Sequence, residues 1–242
     1  MNWGKMKLNN RELHSLFVEK GITHLHHANT VATATTFIEQ GGLLSRGDVE
    51  DMQLSQTYQA SDEEDKQFDV WYDVFVDTAD LHDWFGRQNI YGPVLFKFNI
   101  DFLLKDDLEV WVTKNNPMYW HSGLTDVDKY FQSVQELRNE WNTIERQKKM
   151  VTIRKPGKPI LFENLEKVIV DDPRVQIYDT YVLSAEMRTG LAKATENVQS
   201  LRTLFEYRSC SSCYCHSNYL NQVSTEQLAR LFLPKEHEKY PD

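Results

Sequence analysis

Short strands interrupted by helices, in no strict strand–helix–strand alternation, constrain this chain more than any other feature. Residues 70–76, 93–100 and 108–113 concentrate β-branched and aromatic side chains in runs of strand length. Residues 22–27, 151–154 and 167–170 read as shorter strands. Between them stand helical periodicities. Residues 11–20 form one, capped by Asn10 and ended by Gly21, and residues 30–40 another, capped by Asn29 or Thr30 and stopped by Gly41-Gly42. The longest expected helix covers 126–149, where Val127, Tyr130, Phe131, Val134, Leu137, Trp141 and Ile144 recur at helical spacing. Residues 181–207 also read as helical, with Gly190 a weak point. This mixture predicts an α+β fold with a split β-sheet and flanking helices. At 242 residues, with no repeat and no linker, a single domain is expected, its part from about residue 174 onward a helical, cysteine-containing extension.

Composition sets the class. Hydrophobic residues make up 40% and charged residues 26%, an ordinary globular balance, and the chain's many Trp, Tyr and Phe supply apolar surface for a core. No apolar run approaches the roughly 18 residues a membrane helix needs. The opening MNWGKMKLNNRELHS is polar where a secretory leader carries its apolar stretch, so a cytoplasmic protein without membrane contact is expected. Three cysteines within 210–215 cannot build a disulfide framework, which fits a reducing compartment. A net charge of −9 disfavours loose adhesion to nucleic acid or anionic membrane, although a local basic groove is compatible with it.

Several constellations could carry chemistry. Thr23-His24-Leu25-His26-His27 is the densest: in a strand His24 and His26 share one face, as ligands of a single metal would. Strand histidines equally often bond neighbouring backbone. His14, His82, His121, His216 and His237 stand in contexts that complete no ligand set. Cys210-Ser-Ser-Cys213-Tyr-Cys215-His216 gathers soft ligands, but one short loop rarely closes a tetrahedron. It reads as a surface turn with small thiols, and no metal is expected; the alternative is a structural zinc with ligation from elsewhere. Arg146, Lys148, Lys149, Arg154, Lys155 and Lys158 cluster without an intervening acid, either as a solvated helix end or as a phosphate-contacting patch. Trp71-Tyr72, Trp84-Phe85 and Tyr119-Trp120 could stack bases or nicotinamide. Residues 45–69 are polar and aperiodic, and their length predicts an exposed loop or lid that binds something. Neither a P-loop, a Gly-x-Gly-x-x-Gly turn nor a Gly-x-Ser-x-Gly elbow is present.

The order of these segments carries a resemblance. Ile22-Thr-His-Leu-His, then a helix running into Ile38-Glu-Gln-Gly-Gly-Leu-Leu-Ser45, then Val74-Phe-Val, Gly92-Pro-Val-Leu-Phe and Val110-Trp-Val-Thr-Lys-Asn, then Lys148-Lys149 and Leu165-Glu-Lys-Val-Ile-Val170, resembles the DarT-like ADP-ribosyltransferase toxins. The likeness covers roughly residues 21–172 and its motifs are short. More distantly the chain is similar to CmdT-like toxins, which work on RNA within a toxin–antitoxin–chaperone system.

The resemblance implies an ADP-ribosyltransferase-like split sheet, NAD as co-substrate, and transfer of ADP-ribose to a base of RNA or DNA, in a toxin–antitoxin or phage-defence setting with antitoxin and chaperone proteins as partners. Loss of neutral nicotinamide leaves an oxocarbenium-like ribose, so a negative group must stand near it. By position, Thr23 and His24 fall on the strand that grips NAD, Asn29 lies two residues from the family's Asn, and Tyr72 or Tyr91 would stack on nicotinamide. Arg46 is the candidate for the family's catalytic Arg, with Lys66 the other basic residue of that loop. Where the family has its catalytic Glu, this chain reads Met150-Val-Thr and offers no carboxylate. Glu163, Asp73 and Glu145, in that order, are the replacements expected. Lys148, Lys149, Arg154 and Lys155 are expected to hold the nucleic acid. The alternative, favoured by the missing Glu, is a module of the same fold that binds nucleic acid or a partner protein without catalysis.

Overall fold

A computed structural model describes residues 6–142 and 149–241. The chain builds a mixed α/β fold, a central sheet with flanking helices. In order come α1 (Asn10–Glu19), β1 (His24–Asn29), α2 (Val31–Gln40), β2 (Gly42–Leu43), α3 (Arg46–Asp51), α4 (Asp62–Gln67), β3 (Val74–Asp77), α5 (Leu81–Phe85), β4 (Val94–Asn99), β5 (Val110–Val112), α6 (Asp126–Lys129) and α7 (Val134–Asn139). There follow β6 (Met150–Ile153), β7 (Ile160–Leu161), β8 (Leu165–Asp172), β9 (Gln176–Ile177), β10 (Tyr181–Val182), α8 (Leu183–Ala194), α9 (Gln199–Arg202), β11 (Phe205–Ser209), α10 (Cys215–Gln222) and α11 (Thr225–Phe232). No helix among the described residues is long and apolar enough to cross a membrane.

Seven strands share one sheet in the order β11-β8-β4-β1-β3-β6-β5, with β9–β10 and β2–β7 as separate two-stranded ribbons. Each neighbouring pair in the large sheet is antiparallel except β8–β11. The strength of pairing is uneven. β1 matches β4 continuously from His24↔Asn99 to Asn29↔Val94, whereas β1 meets β3 at His26↔Asp77 alone. Beyond that one pair the sheet parts, and the gap positions the site described below.

Local chemistry explains the elements. Asn9, one residue before the expected cap, starts α1 by accepting from the backbone N–H groups of Arg11 and Glu12. Thr30 caps α2, and Gly41 ends it in the left-handed conformation at φ 70°. The main apolar core packs α1, α2, α8 and α11 against the sheet through Leu16, Phe17, Ile38, Phe96, Met187 and Phe232, all essentially solvent-free. A second cluster joins Trp111, Trp120 and Tyr130 beneath β5.

Three expectations are corrected. Residues 45–69 are not one loop: Ser45 accepts from Asp48 N–H to start α3, and four acids in the first turn of α4 favour its positive N-terminus. The long helix over 126–149 is broken after Lys129. Tyr130 is extended, bridges to Thr113 and packs edge-on to Trp111 at 4.8 Å between centroids, while Phe131 N–H donates to Val112 O. Tyr130 and Phe131 therefore seal the β5 edge, and Ser133 restarts the helix as α7; residues 143–148 lie outside the described residues. The helix over 181–207 ends at Ala194, and Phe205 and Tyr207 instead form β11 beside Val168 and Val170. The segment from 174 onward thus contributes a strand of the main sheet.

Candidate active site

Where β1 and β3 part, a cleft of about 750 Å³ opens. Its floor is the end of β1 (His27, Ala28, Asn29) and the facing residues of β3 (Val74, Phe75, Asp77). Thr30 and Thr33 at the start of α2, the 56–65 segment, Gln88 to Tyr91, Asn116 to Met118, and Gln222, Val223, Gln227, Arg230 and Leu231 form its walls.

The seam is set by side chains that bond where backbone would otherwise pair. His27 Nδ1 contacts Phe75 O at 2.7 Å, and a carbonyl only accepts, so Nδ1 carries the proton. Nε2 then accepts from Asn29 Nδ2 at 3.1 Å. Burial depresses the His27 imidazole's proton affinity, consistent with this neutral form. Asn29, 5% exposed, is left with a buried Oδ1 that has no hydrogen-bond partner among the described residues. Gly92 lets β4's lead-in pass directly over Asn29. Its φ is 139°, and a Cβ there would stand 2.1 Å from Asn29 backbone, so no other residue fits.

Arg46 begins α3 and reaches under the 56–62 wall. Its guanidinium donates to Thr57 O at 3.0 Å and Asp62 Oδ2 at 2.6 Å and lies over Trp71. Its Nε is buried without a partner among the described residues. Thr57 hydroxyl joins Thr30 at 2.6 Å and Tyr240 at 2.9 Å, tying this wall to α2 and to the end of the chain.

Four carboxylates line the cleft: Glu64, Asp65, Asp73 and Asp77. Burial pushes Asp65 up to about 6 and Asp77 up to about 7. Burial also raises Asp73, but Arg154 (2.5 Å) and Lys155 N–H (3.2 Å) take its two oxygens and pull against the shift. Asp77 differs, because its buried Oδ1 has no partner among the described residues. Burial raises the Tyr91 hydroxyl too, and the nearby charges of Asp77 and Asp65 add to that effect.

Of the residues anticipated from sequence, Asn29, Arg46, Asp73 and Tyr91 therefore share one cleft. The others do not. His24 sits at the far end of β1, its Nε2 on Glu166 at 2.9 Å and its Nδ1 on Thr23 at 2.8 Å. Tyr72 points outward to Asp51. Glu163 lies on an exposed turn after β7, paired with Lys105 at 2.8 Å. Glu145, Arg146 and Lys148 lie outside the described residues. The basic cluster is divided rather than assembled: Lys149 is buried over Phe131, Arg154 is buried against Asp73, Lys155 pairs with Asp69, and Lys158 pairs with Asp107. Asp65 and Asp77 were missed. An acid closing an otherwise apolar strand, as Asp77 closes Val74-Phe-Val, is the available signal for one; nothing local singles Asp65 out within the acidic run of 62–65.

No protein-family model matches the chain, and no curated protein matches it. Among solved structures, Thermus sp. 2.9 DarT in complex with ADP-ribosylated ssDNA is similar at 11% identity and a TM-score of 0.46, over 78% of this chain and 94% of that one.

Proposed function

We propose that this protein is an NAD-dependent ADP-ribosyltransferase that modifies a base of RNA or DNA. The observation that carries the reading is the cleft itself. Asn29, Arg46, Asp73 and Tyr91, which the sequence resemblance assigns to NAD and catalysis, line one opening where the sheet parts between β1 and β3. We read that seam as the split between half-sheets that the resemblance implies.

The lining suits a bent dinucleotide. The N-terminus of α2, with the Thr33 hydroxyl, offers donors to phosphate. Asn29 Oδ1 and Arg46 Nε are a buried acceptor and a buried donor awaiting partners, a costly arrangement unless a ligand satisfies it. Tyr91 presents a ring to nicotinamide. NAD supplies a glycosidic bond whose cleavage leaves positive charge on the ribose. Asp77, not Glu163 or Asp73, is the carboxylate we assign to that charge, because its oxygen is not consumed by an ion pair. A carboxyl poised near 7 is also matched to accept a proton from the attacking base. Ile90 and Met118, exposed at the mouth beside Tyr119, offer stacking surface for the acceptor. The resemblance extends the reading to a toxin of a bacterial conflict system, partnered by antitoxin and chaperone.

The test incubates the protein with NAD labelled in its adenylate and with separate RNA, DNA and protein pools. Label on one nucleic-acid pool, lost with Asp77→Asn, is the expected result. NAD binding without label on any pool would replace this reading with that of a binding module, which the locked state of Asp73 favours.

A further inference from the structure

Away from the cleft, the cysteine loop exposes Ser211, Ser212 and Tyr214 but turns Cys210 and Cys215 inward. Cys210 and Cys215 are buried, and the loop folds against His82 on α5. The Sγ atoms of Cys210, Cys213 and Cys215 and a ring nitrogen of His82 all lie within 4.8 Å of one another. A tetrahedral zinc with three thiolates and one imidazole needs ligand atoms roughly 3.5–3.8 Å apart, so small side-chain movements suffice. The sequence could not supply this fourth ligand, since His82 and Cys215 are 133 positions apart.

The surroundings are those of a metal-bound histidine. His82 Nδ1 donates to Asp171 Oδ2 at 2.7 Å, which turns Nε2, 3.9 Å from Cys215 Sγ, toward the sulfurs. Such a carboxylate fixes the tautomer and raises the basicity of a ligating imidazole. Asp171 is in turn fixed by Arg208 at 2.6 Å, and both carboxylate and histidine are buried. His216, adjacent in sequence, is occupied elsewhere, with Nδ1 on Pro173 O at 2.9 Å. Tyr214 N–H donates to Gly86 O at 2.8 Å, so the loop is already docked on α5.

We propose that Cys210, Cys213, Cys215 and His82 form a structural zinc site. Cys213 and Cys215 are joined sulfur to sulfur in the structure. The metal form needs both as thiolates. A dithiol reductant gives two electrons and two protons to the bond and is itself oxidised to its disulfide; Zn²⁺ then displaces one proton from each of the three thiols. The site knots α5, which leads to Gln88 and Tyr91, to α10, which ends at Gln222. Each of those segments supplies a wall of the cleft. The metal would thus set the distance between two walls while taking no part in chemistry.

The experiment expresses the full chain with zinc in the medium, purifies it with a dithiol reductant, and measures metal by mass spectrometry against protein concentration. About one zinc per chain is expected, with cobalt substitution giving the intense d–d bands of a tetrahedral thiolate site. His216→Ala should keep full occupancy. Asp171→Asn should weaken zinc affinity about 10–100-fold, and Cys213→Ser should lose the thiolate-to-cobalt band intensity of one sulfur. Because cysteine variants can fail to fold, the wild-type chain gives the second measurement: chelator treatment should lower Tm and free three thiols to a thiol reagent. Reduced, folded wild-type protein holding less than a tenth of an equivalent of zinc, or His216→Ala losing metal, would overturn the proposal.

Discussion

The two ends of β1 carry similar residues in opposite states. At its start, Thr23, His24 and Glu166 satisfy one another. At its finish, His27 bonds across the gap to Phe75 O and accepts from Asn29 on its own strand, and Asn29 Oδ1 is buried without a partner among the described residues. A histidine in a strand therefore says little by itself. What distinguishes the second end is polar atoms buried without partners among the described residues, a cost folding tolerates where a ligand repays it.

The sharpest way to break the contrast is to remove the ion pair that supports the cleft end. Arg154→Met strands the buried Asp73 carboxylate, and chemical denaturation should show a loss of roughly 3–5 kcal/mol. Second in size is chemistry. Asp77→Asn should slow single-turnover NAD cleavage by about 10²–10³ with the fold intact, and a less than tenfold change would return the carboxylate role to another acid. The same variant sharpens the electrostatics. An acid whose folded pKa is raised loses stability as pH rises from its unfolded value near 4 through about 7. Asp77→Asn should therefore melt above wild type at pH 8, by at least about 2 °C, with the gap closing below pH 4. His26, lowered by burial to about 4, runs the other way and costs stability as pH falls below about 6.5. The smallest effect belongs to the satisfied end. His24→Ala removes a half-exposed pair with Glu166, so at most about 1 kcal/mol of stability and no more than twofold in NAD affinity should change. A tenfold loss of NAD affinity would erase the distinction between the two ends.

Local signals were legible and long-range ones were not. The caps at Thr30 and Gly41 and the strand cores at 94–99 and 110–112 follow from residues within a few positions of each other. Helical spacing at 126–144 misled, because Tyr130 and Phe131 answer to Trp111 and Val112 across the sheet rather than to their neighbours in sequence. Asn29, Arg46, Asp73 and Tyr91 could be nominated, but their meeting depends on a seam that no local pattern encodes. The motif points to His24, and strand alternation aims His24 and His27 at opposite faces. The ion pairs of the basic cluster were equally illegible: each of Arg154, Lys155 and Lys158 meets an acid remote in sequence.

The parallel partnership of β8 and β11 has a consequence for how the protein is made. Parallel neighbours need a crossover, here α8 and α9, and residues 222–231 follow β11 to complete the last wall of the cleft. A ribosome lays down Asn29, Arg46, Asp77 and Tyr91 first. A nascent chain halted before residue 205 would hold every one of them, yet with β8 bare along one edge and the cleft open on one side. The lining contributed by β1, α3 and β3 is therefore synthesised well before the wall that residues 222–231 complete.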